Sequence, residues 1–171
     1  MSTPVADPSE LAWFYTTSVD AIDIKEAGAL RPTSVGEERA VVWFSTAQPW
    51  EPMALRGNYL SPDLPDALRG NSLTANEQVF SSMDDLARRG AELLRLGISK
   101  SLLFPYPAIF DVAGVPADVR AAAEKAAALA GSDVRQWCGA LDAIPFDQLT
   151  VQRWDLDGQA WVDAPGLPSL R

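Results

Sequence analysis

Residues 40–52 read Ala40-Val41-Val42-Trp43-Phe44-Ser45-Thr46-Ala47-Gln48-Pro49-Trp50-Glu51-Pro52. The first half, Val41 to Ser45, is β-branched and aromatic, the composition of a strand. The second half cannot continue that strand, because two prolines remove backbone donors. Gln48, Trp50 and Glu51 then form a stiff, aromatic, acidic loop at the strand's end. A purely structural strand does not need such a tail. Loops held on a rigid scaffold are where small-molecule sites are commonly built.

On the N-terminal side, Leu11 to Thr17 is a second aromatic and β-branched run, which predicts a first strand. Ser18 can cap a short helix, Val19 to Ala27, with Gly28 as its left-handed stop. Leu30 to Thr33 reads as extended, and Ser34 to Arg39 as a polar turn. Residues 1–10, with Pro4 and Pro8, read as a flexible tail.

Beyond Pro52 the pattern dissolves. Residues 57–82 carry Gly57-Asn58, Pro62 to Pro65 and Gly70-Asn71, the mark of a long loop within the domain, either a lid or a surface excursion. Ser82 and Asp85 resemble a capping box for a helix over Met83 to Arg89, stopped by Gly90. Glu92 to Ile98 fits a central strand, and Pro105 to Ala113 a helical turn closed by Gly114. Pro116 and Gly131 bracket the clearest helix. Its expected apolar stripe is Val119, Ala122, Ala123, Ala126 and Leu129. Trp137 to Leu141 is a further strand, and Ile144-Pro145 a bend. Leu149 to Trp154 and Ala160 to Val162 form a hairpin around Asp157-Gly158, and the tail from Pro165 reads as loose. Strands at both ends with short helices between them predict one α+β domain over 11–164. Its sheet is expected to be mixed or mainly antiparallel.

Composition narrows the function. The 171 residues suffice for one sizeable core, and 47% are hydrophobic, as in ordinary globular proteins. With 14 Lys and Arg against 23 Asp and Glu, the net charge is −9. No basic face is in evidence to neutralise phosphates, so nucleic acid is not an expected partner. The chain has no histidine and one cysteine, Cys138. Ser-His-Asp and Cys-His catalysis are thereby excluded, an internal disulfide is impossible, and a zinc site would have to rely on oxygen ligands. No Asp-rich calcium-type loop is present, and no metal is expected. The N-terminus lacks the basic start and apolar core of a signal peptide, and no apolar run is long enough to span a membrane. A cytoplasmic protein is the expectation.

Three segments together resemble a family of uncharacterised bacterial proteins. They are Trp13 to Thr17 with Ile24 to Pro32; Val42 to Ser45 with Gln48, Trp50-Glu51-Pro52 and Ala54; and Arg95 to Ile98 with Gly131 to Trp137, Gly139, Ile144-Pro145 and Trp154 to Trp161. The resemblance names no activity. A fainter similarity runs to the ADP-ribosyltransferase-like fold, in which an aromatic strand, a short helix, a G-x-L-x-P-like turn and a strand ending in Ser or Thr follow in order. That similarity implies a cleft holding NAD. The sequence departs from it on the first strand, where Tyr15, Thr16 and Thr17 stand in place of a ribose-holding His or Arg. No late glutamate matches the family's catalytic one.

Glu51 is the candidate catalytic acid or ribose-hydroxyl acceptor, or else a surface glutamate. Trp50 could stack on a planar ring. Gln48 could read a carboxamide or bond its own loop, and Ser45 could bond a ligand amide or cap the turn. Tyr15 and Thr16 could line the same cleft, or Tyr15 could be a core aromatic with a tethered hydroxyl. Arg95 would neutralise a pyrophosphate, and if buried it needs an anionic partner, for which Glu51 is a candidate. Cys138, Trp43, Trp137, Trp154 and Trp161 read as core. Two functional classes fit. One is a small-molecule or nucleotide-binding protein, ADP-ribosyltransferase-like with NAD. The other is a non-catalytic module whose acidity guides a basic protein partner.

Overall fold

The computed structural model describes residues 7–33, 39–48, 50–53 and 92–165. Seven strands form one sheet in the order β5-β6-β3-β1-β4-β8-β9, every pairing antiparallel, and β2 and β7 form a separate two-stranded pair. The strands are β1 Leu11–Thr17, β2 Ala29–Leu30, β3 Val42–Ser45, β4 Leu93–Ser99, β5 Phe104–Pro105, β6 Trp137–Ala140, β7 Ile144–Pro145, β8 Thr150–Asp155 and β9 Ala160–Asp163. Among the described residues three helices, α1 Ser18–Ala27, α2 Ala108–Ala113 and α3 Ala117–Ala130, complete an α+β domain.

Strand alternation sorts the core. Ala12, Phe14, Leu96 and Ile98 point to one face, where Ile24 of α1, Leu30 of β2 and Ile144 of β7 cover them. Trp13, Tyr15, Arg95 and Gly97 point to the other. On that second face, Trp43 and Trp137 pack under α2 and α3, against Ile109, Phe110, Ala123 and Ala126. β4 is central and buried through Ile98, as its leucine-rich sequence requires.

Several elements differ from the sequence reading. The cap of α1 is Thr17, whose hydroxyl accepts from the Asp20 N–H at 3.4 Å, so the helix begins at Ser18. Gly28, at φ 80°, ends it as expected. Phe104-Pro105 is a short edge strand, and α2 starts only after it. Pro116 is the N-cap of α3. Leu129 is 78% exposed, while Ala127 is buried in its stead. At 3.6 residues per turn Leu129 lies roughly 80° off the stripe running from Val119 through Ala123 to Ala130. Ile144-Pro145 is a strand, pairing Leu30 with Ile144. In the β8–β9 hairpin the positive φ falls on Gln159, not Gly158. Within the expected tail, Pro8–Glu10 forms a 3-10 turn. The polar turn (apart from Arg39), the 57–82 loop, the Met83 to Arg89 helix and residues 166–171 lie outside the described residues. Among those described, no helix is long and apolar enough to cross a membrane.

Gly97 faces Trp13 across the β1–β4 ladder. A Cβ at that position would meet the indole Cζ3 at 2.5 Å and Cε3 at 2.8 Å. Because the ring is itself enclosed, Gly97→Ala should destabilise the fold by about 2 kcal/mol through overpacking. A lowered urea midpoint at unchanged m-value checks this, and an unshifted midpoint refutes the seating of Trp13.

Candidate functional site

Cross-strand register puts Tyr15 opposite Arg95, Arg95 opposite Gln152, and Gln152 opposite Asp163. Cross-strand partners share a face, so four adjacent strands present one polar row. Arg95 is 4% exposed. Its Nε and Nη2 donate to Gln152 Oε1 at 2.8 and 2.6 Å, and Nη1 donates to Gln48 Oε1 at 3.2 Å. The Gln152 amide in turn donates to Asp163 Oδ1 at 2.9 Å. The guanidinium carbon lies 3.8 Å from the Trp13 ring centroid and 4.7 Å from that of Trp161, an indole on either side. Burial lowers the guanidinium to about 10, against the favourable pull of Tyr15.

Aromatic rings continue the row. Tyr15 packs on Trp161 at 5.7 Å, Trp161 on Trp154 at 5.3 Å, and Trp154 on the half-buried Trp50 at 5.3 Å. Among the described residues, the buried indole N–H groups of Trp13 and Trp154 have no acceptor. The Tyr15 hydroxyl donates to the Ala47 carbonyl at 3.3 Å. Desolvation pushes this phenol up to about 12, outweighing the nearby Arg95 charge.

Glu51 sits in a second knot. It is 1% exposed. One carboxylate oxygen accepts from Ser45 Oγ at 2.7 Å, and the other accepts from the Met53 N–H at 3.0 Å and from Ser132 Oγ. Ser132 Oγ also accepts from Trp137 Nε1 at 3.1 Å. Ser132 follows Gly131, which closes α3 at φ 79°. The carboxylate therefore ties the end of β3 to the end of α3 and to the start of β6. The two knots meet at Ala47, whose N–H donates to Ser45 Oγ at 3.1 Å while its carbonyl receives Tyr15.

Of the residues singled out from sequence, Tyr15, Gln48 and Arg95 gather around the polar row, with Trp50 beside it through Trp154. Ser45 and Glu51 bond each other on the helix-covered side. Thr16 is a correction to the shared cleft: it faces Leu94, one residue out of phase with Tyr15, on the opposite face of the sheet. The acceptors resolved for Arg95 are amide oxygens, not the Glu51 carboxylate. Trp13, Gln152, Trp161 and Ser132 were missed as site members. For Gln152 the signal was available, since it lies two residues before Trp154 on the same strand face.

Among the described residues no three His, Cys, Asp or Glu side chains gather to hold a metal ion. No family model, curated relative or solved structure matches the chain.

Glu51→Ala would strand two hydroxyl donors and one backbone N–H, and should destabilise the fold by about 3 kcal/mol or more. Glu51→Gln, which keeps one acceptor oxygen, should cost less, and equal losses in urea titrations would contradict this knot. Tyr15 gives a pH signature. Its folded pKa lies above the ordinary value of 10, so the folded state holds the proton longer. Its stabilising contribution is complete below pH 10 and is lost as pH rises through about 12. The stability difference between wild type and Tyr15→Phe should therefore shrink over that window, and a difference independent of pH there would refute it.

Proposed function

We propose that this chain is a small-molecule-binding protein whose site is the aromatic and arginine-bearing half of the sheet face, around Tyr15, Gln48, Trp50 and Arg95. The ligand class is an anion carrying a planar ring, a nucleotide such as NAD. The observation that carries this reading is the Arg95 guanidinium, held between two indole faces with Nη1 turned to the exposed Gln48. An arginine fixed in this way loses little further freedom when its Nη1 meets a phosphate oxygen.

Neighbouring groups fit the same ligand. A phosphate oxygen at Nη1 releases the Gln48 carboxamide to read a ligand amide, donor to acceptor and acceptor to donor. Trp50 is half-buried and presents ring surface for stacking. Glu51 is a positioning residue in this reading. Its carboxylate is committed to Ser45, Ser132 and Met53, and it holds the loop that carries Gln48 and Trp50. An ADP-ribosyltransferase-like reaction is the finer form of the proposal, and NAD cleavage by the purified protein would be its signature.

Thermal denaturation with NAD, ADP-ribose, AMP and nicotinamide tests the reading. At a hundredfold excess over Kd, a ligand selective for the folded state adds about 2.7 kcal/mol, several degrees of Tm. NAD or ADP-ribose should produce that rise. Gln48→Ala and Trp50→Ala should weaken binding by about tenfold, the range of one lost polar or stacking contact. Unchanged Tm with all four compounds would overturn the proposal.

A further inference from the structure

A cleft of about 200 Å³ lies on the opposite face of the sheet from Arg95, between the turn leading into β5 and the β6–β7 connection. Ile98 and Leu103 belong to the buried core, and Ile144 closes one wall. Leu102 and Phe104 also line it, at 68% and 41% exposure, so its apolar surface spreads onto the open rim. Exposed large apolar side chains grouped beside a concave site mark an interaction surface.

Among the described residues, the charged side chain that lines this cleft is acidic. Asp142 is part of its lining, and Asp147 precedes the lining residue Gln148. Both are exposed, and among the described residues neither carboxylate has an ion pair or hydrogen bond. The neighbouring cation, Lys100, is already engaged: its Nζ donates to the Ser9 carbonyl at 3.2 Å and lies 4.0 Å from Glu10.

We propose that this cleft docks a segment of a partner protein that seats one bulky apolar side chain in the hollow and brings a Lys or Arg to Asp142 and Asp147. Rival occupants fit less well. A second copy of the chain in a two-fold contact would set these carboxylates against their own kind. An anionic lipid surface is repelled by the same charges. Strand addition at the sheet edge is blocked, because β5 has two residues and one is Pro105, which has no N–H to donate. Recognition therefore rests on the side-chain anchor and its flanking charge. The overall charge of −9 adds long-range attraction for a basic partner.

A random-sequence displayed peptide library, selected on the full chain at low salt, supplies the probes. The selected peptides should carry an aromatic or large aliphatic residue next to Lys or Arg. By fluorescence anisotropy their affinity should fall about tenfold or more in Phe104→Asp, the size of one lost apolar anchor. It should fall several-fold in the Asp142→Asn, Asp147→Asn pair and with added salt. Leu102→Asp, at the more exposed position, serves should Phe104→Asp fail to fold, and both are checked against wild-type Tm. Failure to select any peptide, selection of acidic peptides, or undiminished binding to a folded Phe104→Asp or Leu102→Asp variant overturns the proposal. So does sedimentation showing a dimer that either substitution dissolves, since the face would then belong to a second copy.

Discussion

Arg95 carries a charge into β4, an interior strand of a seven-stranded sheet, and much of the surrounding architecture answers to that. Stripping water from a guanidinium costs several kcal/mol even after relaxation. Two indole faces and the amide oxygens of Gln152 and Gln48 offset it. Cation–π contacts of this desolvated kind contribute about 2 kcal/mol each. Trp13 can reach the guanidinium only because the residue opposite it on β4 is Gly97, where the ring lies in the space of the absent side chain. Gln152 can offer its oxygen only because Asp163 holds its amide nitrogen the right way round.

The same face has two halves with different characters. Under α2 and α3, Trp43, Trp137, Met53 and Phe110 make an apolar interior, and among the described residues Glu51 is the carboxylate enclosed there, held by two serines and a backbone N–H. On the β1-β4-β8-β9 half, rings and amides surround Arg95 and lead outward to the exposed Gln48 and Asp163. Ala47 joins the halves through its carbonyl and its N–H. Glu51 and Arg95 are therefore linked through one short turn without being one another's resolved partner. That link lets a structural carboxylate govern the position of a binding loop.

Much of the fold could be read directly. The aromatic and β-branched runs at Leu11 to Thr17 and Val41 to Ser45 and the glycines after α1 and α3 each act through local backbone chemistry. What escaped was local structure decided by distant partners. Ile144-Pro145 becomes a strand only because Leu30 pairs with it. Thr16 was grouped with Tyr15 by adjacency, although strand parity sends them to opposite faces. Trp13 and Trp161 are ordinary core tryptophans in sequence, and their stacking on Arg95 emerges only when β1, β4 and β9 are brought together. The direction of the Glu51 carboxylate depends on Ser132, which lies beyond a helix and has no spacing signature.

The central physical claim is that Arg95 and Gln152 form one buried unit on which the aromatic face depends. A double-mutant cycle in urea, with Arg95→Met, Gln152→Leu and the double substitution, measures it most directly. The account predicts large single losses and a coupling free energy above about 1 kcal/mol, since either single change leaves its partner buried with unmet hydrogen bonds. Additive losses, with no coupling beyond experimental error, would contradict it.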